Sequence, residues 1–550
     1  MATLPNFATL TALIIDDMSV QQTTLRGQLS SLGIGKVDAS TTAEDAIRMI
    51  RSRPYNLILC DYNLNARTDG QQLLEHLRDQ NLLAADALFF MVTAEGAYAS
   101  VAAANEHKPD AYLLKPITAT DIGERLRSQL ERRQALLPIL AKLQKKDWAG
   151  AVACCDELIA RRDRWLMQAL QYKGQTLLQM GRHEDAKTCF YAALDERPDL
   201  VWARLGLARA HKAAGKFADA RQIATELIES PEGDKLVAAY DVIAESMEAE
   251  GDAHGAMWVL RDAATVVPSA RRHRLLGESA YRNGDLETAK DSFQKVTKLT
   301  KSSITAQTQD MLWLGQTLVD RGEYNEAVNL MNDGVKLNRQ DPAFEAVSLA
   351  IKAQAQLRGG QEQAAKATLE RARSGLRKAK ADFGTVALAK AELLDGNEAA
   401  GLALMEQAIS ADHENTRLQQ LIGNALRDTG HEDKVQSLIE AAAAGLETRV
   451  KEAKSLFRDS KIDEALSAIE SAVADYPENT GVLLQAAQMN CLSLRLKKQL
   501  NSAVVERVRL YLARLETLMP ANDRVTQMQR YYRDTVATLN AENKAAGLAA

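Results

Sequence analysis

The chain has 550 residues, a formal net charge of −5 and a pI near 6.0. Such a length exceeds what one hydrophobic core supports, so at least two domains are expected. The acidic balance gives no electrostatic reason to expect a nucleic-acid or anionic-membrane partner.

The first seventeen residues, MATLPNFATLTALIIDD, lack the basic start and long apolar run of a signal peptide. No stretch nears the roughly 18–20 uninterrupted apolar residues of a membrane span. The five cysteines (60, 154, 155, 189 and 491) show neither metal-ligand spacing nor a secreted disulfide framework. The expectation is a cytoplasmic chain with no membrane insertion.

Residues 10–135 alternate short apolar runs with helical patterns. The runs are ALIIDD (12–17), KVDAS (36–40), NLILCD (56–61), ALFFMVTA (87–94) and AYLLKP (111–116). Continuous apolar strands separated by helices predict five parallel strands covered on both faces, an α/β doubly wound, flavodoxin-like fold. Ligands in such sheets bind at the carboxyl ends of the strands. The first run ends in Asp16 and Asp17, the third in Asp61, the fourth in Thr93 and the fifth in Lys115-Pro116. Three carboxylates at one edge repel unless a cation sits among them, and oxygen ligands with retained waters suit Mg²⁺. A lysine and a threonine hydroxyl at the same edge can hold phosphoryl oxygens. The set makes sense as a carboxylate nucleophile, a metal and two groups that hold a transferred phosphoryl.

This pattern over residues 10–130 resembles the receiver domain of two-component response regulators, and MVTAEG with AYLLKP is similar to the chemotaxis type. The resemblance implies Asp61 as phosphoacceptor, with Asp16, Asp17, Asp61 itself and the backbone carbonyl of Asn63 holding Mg²⁺. It implies Thr93 as switch hydroxyl, Lys115 as phosphoryl-binding cation, Tyr112 as switch aromatic and a cis peptide before Pro116. Asn63 and Glu95 match residues of fast-turnover receivers and imply a short-lived phosphoaspartate. One stretch departs from the family. NLNARTDG carries one residue more before Gly70 than expected and lacks the usual proline, which leaves its conformation and partner contacts open.

Residues 118–148 contain only Gly123 and Pro138 as interruptions, so the last receiver helix is expected to run almost straight toward the first repeat helix. After it a period of about thirty-four residues emerges. Gly174, Gly181, Ala186, Phe190 and Ala193 precede Pro198. Ala208, Gly215, Ala220 and Ala224 follow, then Gly251, Ala256 and Ala263, then Gly277, Gly284, Ala289 and Phe293, then Gly315, Gly322 and Ala327. The copies loosen over 345–445, where a generic α-solenoid is the alternative, and DSKIDEALSAIESAVADYP (459–477) restores them. Each copy reads as two antiparallel helices, with a glycine such as Gly181 or Gly215 in left-handed conformation ending the first. Alanines mark where the paired helices cross, and Phe190 and Phe293 fill the gap to the next pair. One pair cannot bury its apolar face alone, so pairs stack into an all-α superhelical solenoid. The motif resembles the tetratricopeptide repeat. The expected boundaries are 1–130 receiver, 131–148 helical linker, 149–480 repeats, 481–540 helical cap and 541–550 frayed tail.

The repeats show no catalytic constellation, so no enzyme is expected beyond the receiver's own aspartyl phosphorylation and dephosphorylation. A solenoid of this kind presents a concave groove that binds proteins. The leading reading is a phosphorylation-gated adaptor. A histidine kinase or phosphotransfer protein donates to Asp61, an unidentified protein binds the repeats, and a homodimer is compatible with the family. The alternative is a constitutive scaffold whose receiver is a phosphoryl sink or kinase-docking module.

Overall fold

The computed structural model describes residues 7–64, 68–80, 82–84, 87–94, 108–145, 147–231, 233–301, 303–304, 306–338, 341–375, 382–411, 415–477, 479–518 and 523–547. Strands β1 (Thr11–Ile15), β2 (Lys36–Ser40), β3 (Leu57–Asp61), β4 (Leu88–Thr93) and β5 (Ala111–Leu114) form one parallel sheet in the order β2-β1-β3-β4-β5. Alternate residues of each strand serve opposite faces. Ala12 and Ile14 join Leu57, Leu59 and Phe90 on one face, packed against Leu25 and Leu29 of α1 (Ser19–Ser31). Leu13 and Ile15 join Ile58 and Phe89 on the other, packed against α2 (Ala43–Ser52) and α3 (Gly70–Asp79). Both faces are thus covered, and β3 and β4 are buried along their whole length, as an unbroken apolar run requires. The helix expected between β4 and β5 falls in residues outside those described.

Helix α4 (Ala119–Gln144) starts in a capping box between Thr118 and Asp121 and contains Pro138. Leu126 buries against the sheet, and Leu136 and Ile139 of the same helix join Ala151, Cys155 and Leu158. About twenty helices then follow to Gly547. The turn glycines Gly181, Gly215, Gly251, Gly284 and Gly322 all have positive φ, and so do Gly360, Gly396 and Gly430 in the stretch where the motif loosens. In the restored copy Ser460 holds that position at φ 62°. The crossing alanines Ala186, Ala220, Ala289, Ala327 and Ala465 are fully buried. Phe190 does fill the gap to the next pair: a Cβ on Gly174 would lie 2.6 Å from its ring, and one on Gly206 in the following repeat 2.5 Å.

The chain divides into two compact units. The first is Met1–Leu178, Arg182–Leu276 and Gln294–Gln307; the second is Gln179–Gly181, Gly277–Phe293 and Thr308–Ala550. In the second, helix Phe383–Leu394 is buried from Phe383 through Leu393, on every face. A helix buried all round is a core element. Its Lys390 Nζ lies 2.6 Å from both Asp320 Oδ1 and Asp428 Oδ2, and Arg358 Nη2 lies 2.5 Å from Asp428 Oδ2. Gln316 and Gln354 exchange hydrogen bonds of 2.8 and 3.1 Å, and Asn424 Nδ2 donates to the Arg282 carbonyl at 2.7 Å. Here the inner face is filled by the chain's own side chains, where an open groove was expected. The segment expected as a cap consists of helices Thr480–Lys497, Ser502–Leu518 and Asp523–Gly547, whose Val508, Leu515 and Met528 share a core with Ile469 and Leu483. Its backbone stays helical into the segment expected to fray, and residues 548–550 lie outside those described.

Candidate functional site

Parallel register brings the polar strand ends together. Ile15 sits beside Cys60, Asp61 beside Val92 and Thr93 beside Leu114, so the residues just beyond β1 and β5 fall level with Asp61 and Thr93. Carboxylate oxygens of Asp16, Asp17 and Asp61 all lie within 4.8 Å of one another. Asp16 is fully buried, Asp61 is 8% exposed and Thr93 2%. Lys115 Nζ stands 3.1 Å from Asp61 Oδ1 and 3.7 Å from Asp16 Oδ2.

Burial raises the Asp61 carboxyl above the ordinary aspartate range, against the lowering pull of Lys115. Asp16 is raised for the same first reason, opposed by the Met18 N–H and Lys115 and reinforced by Asp17. Desolvation disfavours the charged form, and like charges add to it. A cation among the three oxygens would reverse that balance. Asp16 Oδ1 accepts from Met18 N at 2.9 Å, while its buried Oδ2 has no hydrogen-bond partner among the described residues. An oxygen-only donor set with such an atom turned toward two further carboxylates fits a hard divalent ion.

The other expected residues are placed unevenly. Asn63 is exposed two positions after Asp61, and Glu95 lies outside the described residues. Tyr112 is half-buried, its phenol pushed upward by burial, and its hydroxyl has no partner among the described residues. The Lys115–Pro116 peptide is cis.

Two contributors had no role assigned from the sequence, Gly70 having served there only to mark the length of its loop. Gln22 Nε2 donates to the Asp16 carbonyl at 2.6 Å and to that of Ser40 at 3.1 Å, bracing the end of β1. Gly70 begins α3 directly beneath Asp61. A Cβ there would collide with the Asp61 carbonyl oxygen and lie 2.9 Å from Met91 Sδ, and its N–H donates to the Tyr62 carbonyl at 2.9 Å. A lone glycine after an aspartate was the only available signal, and it reads equally well as an ordinary helix start.

Residues 12–127 match the family model of the response regulator receiver domain, and residues 177–239 match that of a tetratricopeptide repeat. The chain carries a receiver domain followed by tetratricopeptide repeats. Over 121 residues, 22% of this chain, it is 27% identical to the chemotaxis protein CheY-3 of Vibrio cholerae, covering 91% of that protein. It is 29% identical to the chemotaxis protein CheY of Pseudomonas aeruginosa, covering 95%. Among solved structures it is similar to a tetratricopeptide repeat protein from Parabacteroides merdae (14% identity, TM-score 0.30, 54% of this chain and 98% of that one). A thermophilic TPR protein of Thermus thermophilus is similar at 22% identity and TM-score 0.23, over 34% of this chain and 98% of that one. The receiver implies a two-component response regulator with a phosphodonor kinase, and the repeats imply protein partners. Among the described residues no helix is long and apolar enough to cross a membrane.

Proposed function

We propose that the chain is a phosphorylation-gated adaptor, with 1–130 as the receiver, 131–148 as linker, 149–480 as the partner-binding repeats, 481–540 as their helical cap and 541–550 as the tail. The observation that supports it is the cluster of Asp16, Asp17 and Asp61 with Lys115 3.1 Å from the last of them. In this reading a carboxylate oxygen of Asp61 attacks the phosphorus of a phosphohistidine on a histidine kinase or phosphotransfer protein. A P–O bond forms as the P–N bond breaks, and the imidazole nitrogen leaves with the electron pair and takes a proton from water. Lys115 receives the charge that gathers on the phosphoryl oxygens, and the Thr93 hydroxyl donates to one of them. Asp16, Asp17 and the Asn63 carbonyl would hold Mg²⁺, which supplies charge neutralisation. Tyr112 and Thr93 serve as the switch pair, and Asn63 and Glu95 set the lifetime. Water later hydrolyses the acyl phosphate, and no other catalysis is assigned. A 10- to 100-fold change in partner affinity corresponds to about 1.4–2.7 kcal/mol of coupling, within reach of one interdomain rearrangement.

The test has two steps. With phosphoramidate and Mg²⁺ the wild-type chain should gain one phosphoryl by mass, and Asp61→Asn should gain none. Capture from source lysate with beryllofluoride and Mg²⁺ should then retain a protein that Asp61→Asn does not, or lose one that it keeps. Equal labelling of both chains refutes the site, and identical captured sets refute gating in favour of the constitutive scaffold.

A further inference from the structure

The stretch NLNARTDG, where the sequence departs from the receiver family, ends in a contact with the repeats. Thr68 is 1% exposed, and its hydroxyl lies 3.3 Å from that of Ser303. Ile304 N–H donates to Thr68 Oγ1 at 3.3 Å, and Ser303 Oγ donates to Gln72 Oε1 at 3.4 Å. That same Gln72 oxygen accepts from Asp69 N in the capping box that starts α3. Ile304 packs on the receiver core that contains Leu64, against which Tyr62 and Tyr112 also pack. Arg271 of the repeats stands within electrostatic reach of Glu75 and Asp79 on α3. All these residues belong to the first compact unit.

Both sides of the contact are anchored. Ser303 N donates to the Thr300 carbonyl at 2.9 Å and Thr300 Oγ1 to that of Val296 at 2.9 Å, tying the turn to the end of helix Leu286–Leu299. On the receiver side Gly70 N is bonded to the Tyr62 carbonyl, one residue from Asp61. The bonds between the two sides, at 3.3–3.4 Å, are long for hydroxyl contacts. Anchors on each side joined by long bonds describe a joint that opens at the contact, at the cost of uncovering Ile304 and Thr68.

We infer that the turn holding Ser303 and Ile304 is a docking partner of Thr68 and Gln72 at the entry to α3, and that this docking and phosphoryl occupancy of Asp61 oppose each other. The inference rests on the phosphorylation reading above. A phosphoryl group brings close to two negative charges to a residue already buried beside Asp16 and Asp17. The backbone at Asp61 adjusts to it, and Gly70, seated against the Asp61 carbonyl and bonded to that of Tyr62, carries the adjustment into Thr68 and the start of α3. Ile304 reports the same event through the core it shares with Tyr62 and Tyr112. The site and the repeats are then linked through a side of the receiver that includes α3, and the link is reciprocal.

Two measurements on the full chain test this. Beryllofluoride with Mg²⁺ should speed amide exchange at Ser303 and Ile304 by about tenfold in the wild type and leave Asp61→Asn unchanged. By reciprocity, Ile304→Asp should bind beryllofluoride about tenfold more tightly than the wild type. Ile304→Ala, which keeps the turn apolar, should show a smaller shift in the same direction. Tight beryllofluoride binding with unchanged exchange at Ser303 and Ile304, or with equal affinity in all variants, overturns the docking switch and leaves phosphorylation of Asp61 standing. Failure of the wild type to bind beryllofluoride overturns both.

Discussion

The two compact units use one repeat motif and join their repeats differently. In the first, polar bridges reach to the neighbouring helix pair: Arg164 to Glu131 at 2.9 Å, Arg162 to Glu196 at 3.4 Å, and Lys212 to Glu245. The second has such bridges as well, Lys290 to Glu323 and Arg321 to Glu287, and adds others that skip a pair, as Lys390 does to Asp320 and Arg358 to Asp428. Nearest-neighbour bridges leave a stack whose stability is roughly a sum of adjacent interfaces. Bridges that skip a pair close the stack on itself and give it a shared interior. The lesson is that the thirty-four-residue period specifies the helix pair, and the polar residues on the inner helices decide whether pairs form an open stack or a closed one.

The sharpest way to break that contrast is Lys390→Ala. It leaves Asp320, 9% exposed at its side chain, without its ammonium partner, and losing one member of a buried pair costs about 3–5 kcal/mol. Lys212→Ala removes a bridge whose side chains are 29% and 45% exposed, and should cost about 1 kcal/mol or less. Hydrogen exchange in 383–394 and 201–213 against urea reads the two changes separately. Equal losses in both would mean that the skipping bridges add nothing to closure.

A smaller effect concerns the turns both units share. Gly215→Ala forces a side chain into a φ of +75° and should destabilise by about 1 kcal/mol, while Ser460→Gly relaxes a φ of +62° and should stabilise by up to about 1 kcal/mol. Thermal melts of the two variants should therefore move in opposite directions. The smallest effect is acidic. Lys290 and Arg321 hold the Glu323 carboxyl down at about 2, against 4.5 ordinarily. The lowered value means the folded state binds its proton later than the unfolded chain does. The contribution is complete above roughly pH 4.5 and is lost as pH falls toward 2. Glu323→Gln should flatten that slope by less than about 1 kcal/mol, read as urea midpoints at pH 5 and pH 3.

Much of this was legible in the sequence because it is local. LIIDD, LILCD and AYLLKP mark strands and their polar ends without reference to anything distant, and the turn glycines recur even where the rest of the motif fades. Thr68 and Ser303 are 235 positions apart, and hydroxyls carry no periodic pattern, so their contact left no trace. The filled inner face did leave one. FGTVALAKAELL is apolar around its circumference apart from Thr385 and the charged Lys390 and Glu392, and a helix of that kind lies buried with its few charges paired. The Arg373 guanidinium takes up Glu392, whose side chain is 2% exposed.

The bond from Asn424 to Arg282 spans 142 residues. On a ribosome adding about 5–20 residues each second, those residues take roughly seven to twenty-eight seconds to follow one another into solution. During that interval the helices between them emerge, with Asp320 made before Lys390 exists to meet it and Arg358 before Asp428 does. Over that interval the helices between residues 282 and 424 are open to a nascent-chain chaperone. Codon usage after residue 282 would set how long that exposure lasts.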